Sequence, residues 1–233
     1  MFIQSRSLEN DVLLYRQHRL NYFRDNNDSV AGKTLRFMLL HIIPETFTDS
    51  TYNQNVYQLM RSGKAKYSPM FSSMGCSGAP FPNVDGLRYG HYQNASECFI
   101  NNNGIVECFL ALDDNYTGNL DRSTNEYLAH SKLWDEIESV VAYYAENFLP
   151  SIDASRVFVC LSFARCKGLV TETQPFGNNS AIDRNELICS PIAFYKDGDT
   201  DETLRALKVE YLLSIGIRYA KELDDFVNKS KSS

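Results

Sequence analysis

His41 combines chemistry and setting better than any other side chain in the sequence. It lies in the run Arg36-Phe37-Met38-Leu39-Leu40-His41-Ile42-Ile43-Pro44, in which six of nine residues are large and apolar. That pattern predicts a buried strand delivering one imidazole to its C-terminal end. An imidazole titrates near neutral pH and suits proton transfer, but acid–base work needs a carboxylate within hydrogen-bond reach. Asp85 and Asp113 are the candidate catalytic partners, and a hydrolase or nuclease is the reaction class they would serve. The structural alternative is a satisfied histidine at the edge of a core.

Basic residues gather twice. Arg16 and Arg19 fall on one predicted helix, with Arg24 just at its end, and the three read as its solvated face. Arg61, Lys64 and Lys66 stand at the mouth of a long loop, with Tyr67 and Phe71 beside them. Cations interleaved with aromatic rings are what a nucleotide or single-stranded nucleic acid meets on its binding surfaces, so these five are the candidate binding residues.

Other motifs fail on their physical requirements. Gly32-Lys33-Thr34 lacks the first glycine of a phosphate loop, since position 27 is Asn27, and it precedes a strand instead of following one. No G-x-S-x-G elbow occurs, and neither Cys76 nor Cys166 sits at a strand-to-helix turn. His18, His41, His91 and His130 are scattered without ligand spacing, and Asp113-Asp114 reads as a turn former, so no metal site is expected. No motif names a cofactor.

The elements that must position these residues follow from periodicity. Val12, Leu13, Arg16, Leu20 and Phe23 recur at helical spacing, predicting a helix over Asn10–Phe23 capped by Ser7 or Asn10. A polar linker follows, giving residues 1–28 as helix and linker and 29–233 as one domain. A strand over Leu35–Ile43 and a short helix over Thr51–Ser62 come next, then an irregular loop over Gly63–Asp85. A loop of that length in a compact domain is uncommon unless it has a function or is disordered.

The next segment fixes its own register. A three-residue Asn102-Asn103-Gly104 turn sets Ile100 opposite Val106 and Cys98 opposite Cys108, giving one wholly apolar face. A two-residue turn would set Ile100 against Glu107, so face consistency selects the longer loop. Leu87–Gln93 supplies a neighbouring strand. Beyond it a helix over Glu126–Phe148, a strand over Arg156–Phe163, an edge or bulged strand over Glu186–Phe194 interrupted by Pro191, and a helix over Asp201–Val227 are expected. The fold class is α+β: a mostly antiparallel sheet of about five to six strands covered by helices.

Composition sets outer limits. The chain has 233 residues, 43% of them hydrophobic, which is ample for a core, and a net charge of −6 that argues against a broad phosphate-binding surface. No apolar run approaches the roughly 18 residues of a membrane span. Five of the six cysteines lie in or beside apolar runs, without C-x-x-C spacing, as buried free thiols of a reducing compartment do. The cytoplasm is therefore the expected location.

The stretch Arg16-Gln17-His18-Arg19-Leu20-Asn21-Tyr22-Phe23, a polar linker, and Leu40-His41-Ile42-Ile43-Pro44 together resemble one bacterial group of proteins. Its members carry an amino-terminal Schlafen-type AlbA-2 module, often labelled DNA-binding or ATP-binding, ahead of a less characterised region. Val84-Asp85-Gly86-Leu87 and the hairpin Cys98–Leu110 with Glu107 are similar to the middle of that second region, so the resemblance covers roughly residues 12–112. It implies the carboxy-terminal part of such a protein without its partner module, and none of that module's nucleotide- or DNA-binding residues carries over. The implied function is a non-catalytic ligand-sensing, interaction or oligomerisation domain of a regulatory or anti-phage defence protein. Its partner would be another protein, the module itself or a second copy of the chain, with nucleic acid met only indirectly and no membrane involved.

Overall fold

The computed structural model describes residues 2–26, 36–49, 81–91, 96–112, 117–119, 126–171 and 181–217. In order these form α1 (Phe2–Asn26), β1 (Phe37–Pro44), β2 (Phe81–Asn83), β3 (Gly86–His91), β4 (Ser96–Asn101), β5 (Val106–Ala111), β6 (Thr117–Asn119), β7 (Glu126–Leu128) and α2 (His130–Asn147). They continue as β8 (Arg156–Ala164), β9 (Val170–Thr171), β10 (Glu186–Ile188), β11 (Ile192–Tyr195) and α3 (Thr200–Ser214). The fold is α+β, and eight strands make one sheet in the order β10-β8-β1-β5-β4-β3-β2, with β11 also paired to β8. Every pairing in it is antiparallel. Strands β6, β7 and β9 form a second, small sheet.

Alternation along the central strands sorts side chains to two faces. Met38, Leu40 and Ile42 of β1, Val106, Cys108 and Leu110 of β5, and Val159, Leu161 and Phe163 of β8 join the large core shared with α2 and α3. Phe37, Leu39, Ile43, Phe109, Phe158 and Cys160 emerge on the other face, where they meet Val12 and Leu20 of α1. Strand β1 is buried along its whole length because it is covered on both faces and flanked by β5 and β8. That accounts for the unbroken apolar run in its sequence.

The hairpin expectation holds residue for residue: Ile100 faces Val106, and Cys98 faces Cys108. Gly104 adopts a φ of 80° in the turn. The expected neighbour of β4 is β3. Pro191 does interrupt its segment, leaving β10 and β11 as two short strands on the outer side of β8, because proline has no N–H to offer the ladder.

Several boundaries move. Helix α1 runs from Phe2 to Asn26, so Ser7 and Asn10 lie inside it, and Leu13 is exposed instead of joining its inner stripe. Residues 126–128 are a strand, and α2 begins only at His130; pairing of Tyr127 and Leu128 with β9 overrides their helical spacing. Residues 81–83 at the end of the expected loop pair with β3 as the sheet's outermost strand, where Pro82 is tolerated. Helix α3 is capped by the Asp199 carboxylate, which accepts from the amides of Asp201 and Glu202. It ends after Ser214, where the Ile217 amide returns to the Leu212 carbonyl and that of Gly216 to Leu213, a Schellman closure. The expected helix over 51–62, most of the 63–85 loop, the 27–28 linker and the chain beyond 217 fall outside the described residues.

Candidate functional site

His41 sits in the middle of β1, not at its end, and points to the face that α1 covers. Its cross-strand neighbours are Glu107 on β5 and Cys160 on β8. The His41 Nε2 lies 3.0 Å from Glu107 Oε2. The same carboxylate receives a two-pronged contact from α1: Arg19 Nε donates to Oε2 and Nη2 to Oε1, each at 2.6 Å. A guanidinium fork matched to a carboxylate is among the stronger polar contacts available to side chains.

Burial decides what this cluster can do. The His41 side chain is 0% exposed and that of Glu107 4%, while Arg19 retains 24%. Burial by itself would raise the Glu107 carboxyl, but hydrogen bonds from His41 and Arg19, together with their charges, outweigh it and hold the group at about 2. An ionised carboxylate only accepts hydrogen bonds, so His41 Nε2 carries the shared proton. His41 Nδ1 is buried and meets no hydrogen-bond partner among the described residues.

Aromatic rings close the site. Tyr15, one helical turn before Arg19, stands edge-on to the imidazole at 5.8 Å and likewise to Phe47. Arg19 lies 4.6 Å from the centre of the Tyr22 ring and 5.2 Å from that of Phe23. One apolar cluster, with Leu20, Phe37 and Phe109, flanks the polar trio on one side. Another, with Val12, Ile43 and Ile105, flanks it on the other. Burial drives the Tyr15 hydroxyl far above its ordinary value, so it stays protonated.

Arg16 and Arg24 of α1 also find partners on the sheet, and the solvated face expected of them is corrected: Arg16 is buried and Arg24 only partly exposed. Arg16 is 6% exposed and donates from Nη1 to the Cys189 carbonyl at 2.6 Å. Arg24 pairs with Glu186 of β10 at 2.9 Å. The three lie three to eight residues apart and share the face that α1 turns to the sheet.

The expected acid partner differs from the one found. Asp85 occupies the β2–β3 turn, where its carbonyl accepts from the Asn102 amide. Three inter-strand spacings, about 14 Å, separate its side of the sheet from His41, so the two do not meet. Asp113, Arg61, Lys64, Lys66, Tyr67 and Phe71 lie outside the described residues. Glu107 was legible in one respect: the hairpin register that puts Cys108 on the main core face puts its neighbour on the other. No local signal showed that β1 would pair beside β5.

Five cysteines, Cys98, Cys108, Cys160, Cys166 and Cys189, are buried free thiols. Among the described residues no group of three His, Cys, Asp or Glu side chains could hold a metal ion. No helix among them is long and apolar enough to cross a membrane. Comparison with family models, with curated proteins and with solved structures gave no match.

Proposed function

We propose that this chain is a non-catalytic regulatory or interaction domain of a bacterial cytosolic protein, working beside a Schlafen-type AlbA-2 module. In this reading Arg19, Glu107 and His41 fasten α1 across the sheet, and the 63–85 segment carries the binding surface. The observation that carries it is the burial of the imidazole–carboxylate pair, 0% and 4% exposed beneath α1. A general acid or base has to reach the proton it moves, and here both groups are spent on holding a helix.

Sedimentation of the chain with an AlbA-2 module supplied as a separate polypeptide tests this. The two should associate, and removal of residues 64–80 should abolish association while leaving a cooperative melt. No association, or association indifferent to the deletion, counts against the reading.

A hydrolase using His41 with Glu107 is the second reading. It is favoured by their 3.0 Å contact and by the His41 Nδ1, which has no hydrogen-bond partner among the described residues. It requires α1 to lift from the sheet for substrate to enter.

A further inference from the structure

The hairpin of β4 and β5 carries a pair of thiols that neither reading above uses. Cys98 and Cys108 face each other directly, and their sulfurs are 3.3 Å apart. The Asn101 amide donates to the Ile105 carbonyl at 2.9 Å, which makes that pair a hydrogen-bonded one. Antiparallel pairs alternate, so Ile100–Val106 is non-bonded, Phe99–Glu107 bonded, and Cys98–Cys108 non-bonded again. At a non-bonded pair the α-carbons stand about 4.5 Å apart, inside the range of roughly 4.4–6.8 Å that a disulfide spans. The sulfurs need to close by about 1.2 Å to reach bonding distance. No other described cysteines are arranged in this way.

We propose that Cys98 and Cys108 are a reversible dithiol that closes into a cross-strand disulfide under peroxide. One thiol reduces hydrogen peroxide, becoming a sulfenic acid and releasing water. The other sulfur attacks it, and the sulfenic oxygen leaves as a second water. Two thiols and one peroxide thus give one disulfide and two waters. The inference is independent of the function proposed above.

The setting determines how this behaves. Both residues are 1% exposed, and the hydrogen bond to the Cys98 sulfur, together with burial, raises the Cys108 thiol well above its ordinary value. The thiols are therefore inert while the hairpin stays shut, and reaction proceeds through its local opening. Cys98 Sγ also lies 3.3 Å from the Tyr144 hydroxyl, so closure alters what α2 meets at the sheet and ties its packing to redox state.

The whole chain is treated with hydrogen peroxide in native buffer and in sub-denaturing urea, then unfolded, alkylated without reductant, and mapped by mass spectrometry. The expected product is a Cys98–Cys108 linked peptide, about 2 Da lighter than the two thiols together, formed faster in urea and reversed by dithiothreitol. The oxidised chain should melt about 5 °C higher or more. C98S and C108S should each lose the mass change. If either fails to fold, the wild-type map still decides. Both thiols remaining alkylatable, oxidation halting at sulfinic acid on either residue, or linkage to a different cysteine would overturn the proposal.

Discussion

Glu107 is the residue on which the described structure turns. Three donors from two other elements converge on it: Arg19 twice, from α1, and His41 from β1. Removing it strands one fully buried imidazole and one largely buried guanidinium, which costs more than the lost contacts alone. Glu107→Gln should destabilise the fold by about 2–4 kcal/mol in urea unfolding at pH 7. The pH dependence has a definite sign. Glu107 titrates at about 2 in the fold, against 4.5 for the unperturbed group. Between those values the unfolded chain binds a proton that the folded chain does not. Its stabilisation is therefore complete above about pH 4.5 and drains away as pH falls toward 2. The gap in urea midpoint between wild type and Glu107→Gln should narrow from pH 7 to pH 3. A constant gap would mean that the carboxylate charge is not what matters.

At the scale of elements, local geometry was legible and partnership was not. The β4–β5 hairpin could be derived because its turn, its alternation and its register all lie within a dozen residues. Pro191 and the acidic start of α3 were readable for the same reason. The β7 strand was not, since Tyr127 and Leu128 suit either a helix or a strand, and only the distant β9 decides between them. Gly86 shows how closely the sheet constrains its own turns. A β-carbon there would stand 2.0 Å from the Ile100 carbonyl oxygen, with backbone φ at 154°. Gly86→Ala should cost about 2 kcal/mol or more, because the obstruction is backbone and cannot swing away. A melting temperature within 1–2 °C of wild type, which corresponds to roughly 0.5 kcal/mol, would show that β3 can shift without penalty.

Across the whole molecule, the arrangement is a sheet covered by α2 and α3 on one face and by α1 on the other. The sequence announced both apolar faces of β1 through its unbroken hydrophobic run, and it placed His41 among them. It did not reveal that β1 would lie between β5 and β8, and so could not name Glu107 over Asp85 or Asp113. Nor could it show that Arg16 and Arg19 face inward and that Arg24 reaches an acid at the sheet edge, since a basic helix stripe is solvated unless acceptors from distant strands stand beneath it. Here the acceptors are Glu107, Glu186 and the Cys189 carbonyl.

The most direct measurement is a double-mutant cycle on Arg19 and Glu107, read by urea unfolding, with Arg19→Met, Glu107→Gln and the pair together. A clasp that fastens α1 requires each single change to destabilise and the two to couple by about 2 kcal/mol. A reaction centre behaves in the opposite way, since charged groups held for chemistry tend to cost stability. Glu107→Gln as stable as wild type or more so, with no coupling to Arg19, would contradict the clasp and turn attention to what lies under α1 when it lifts.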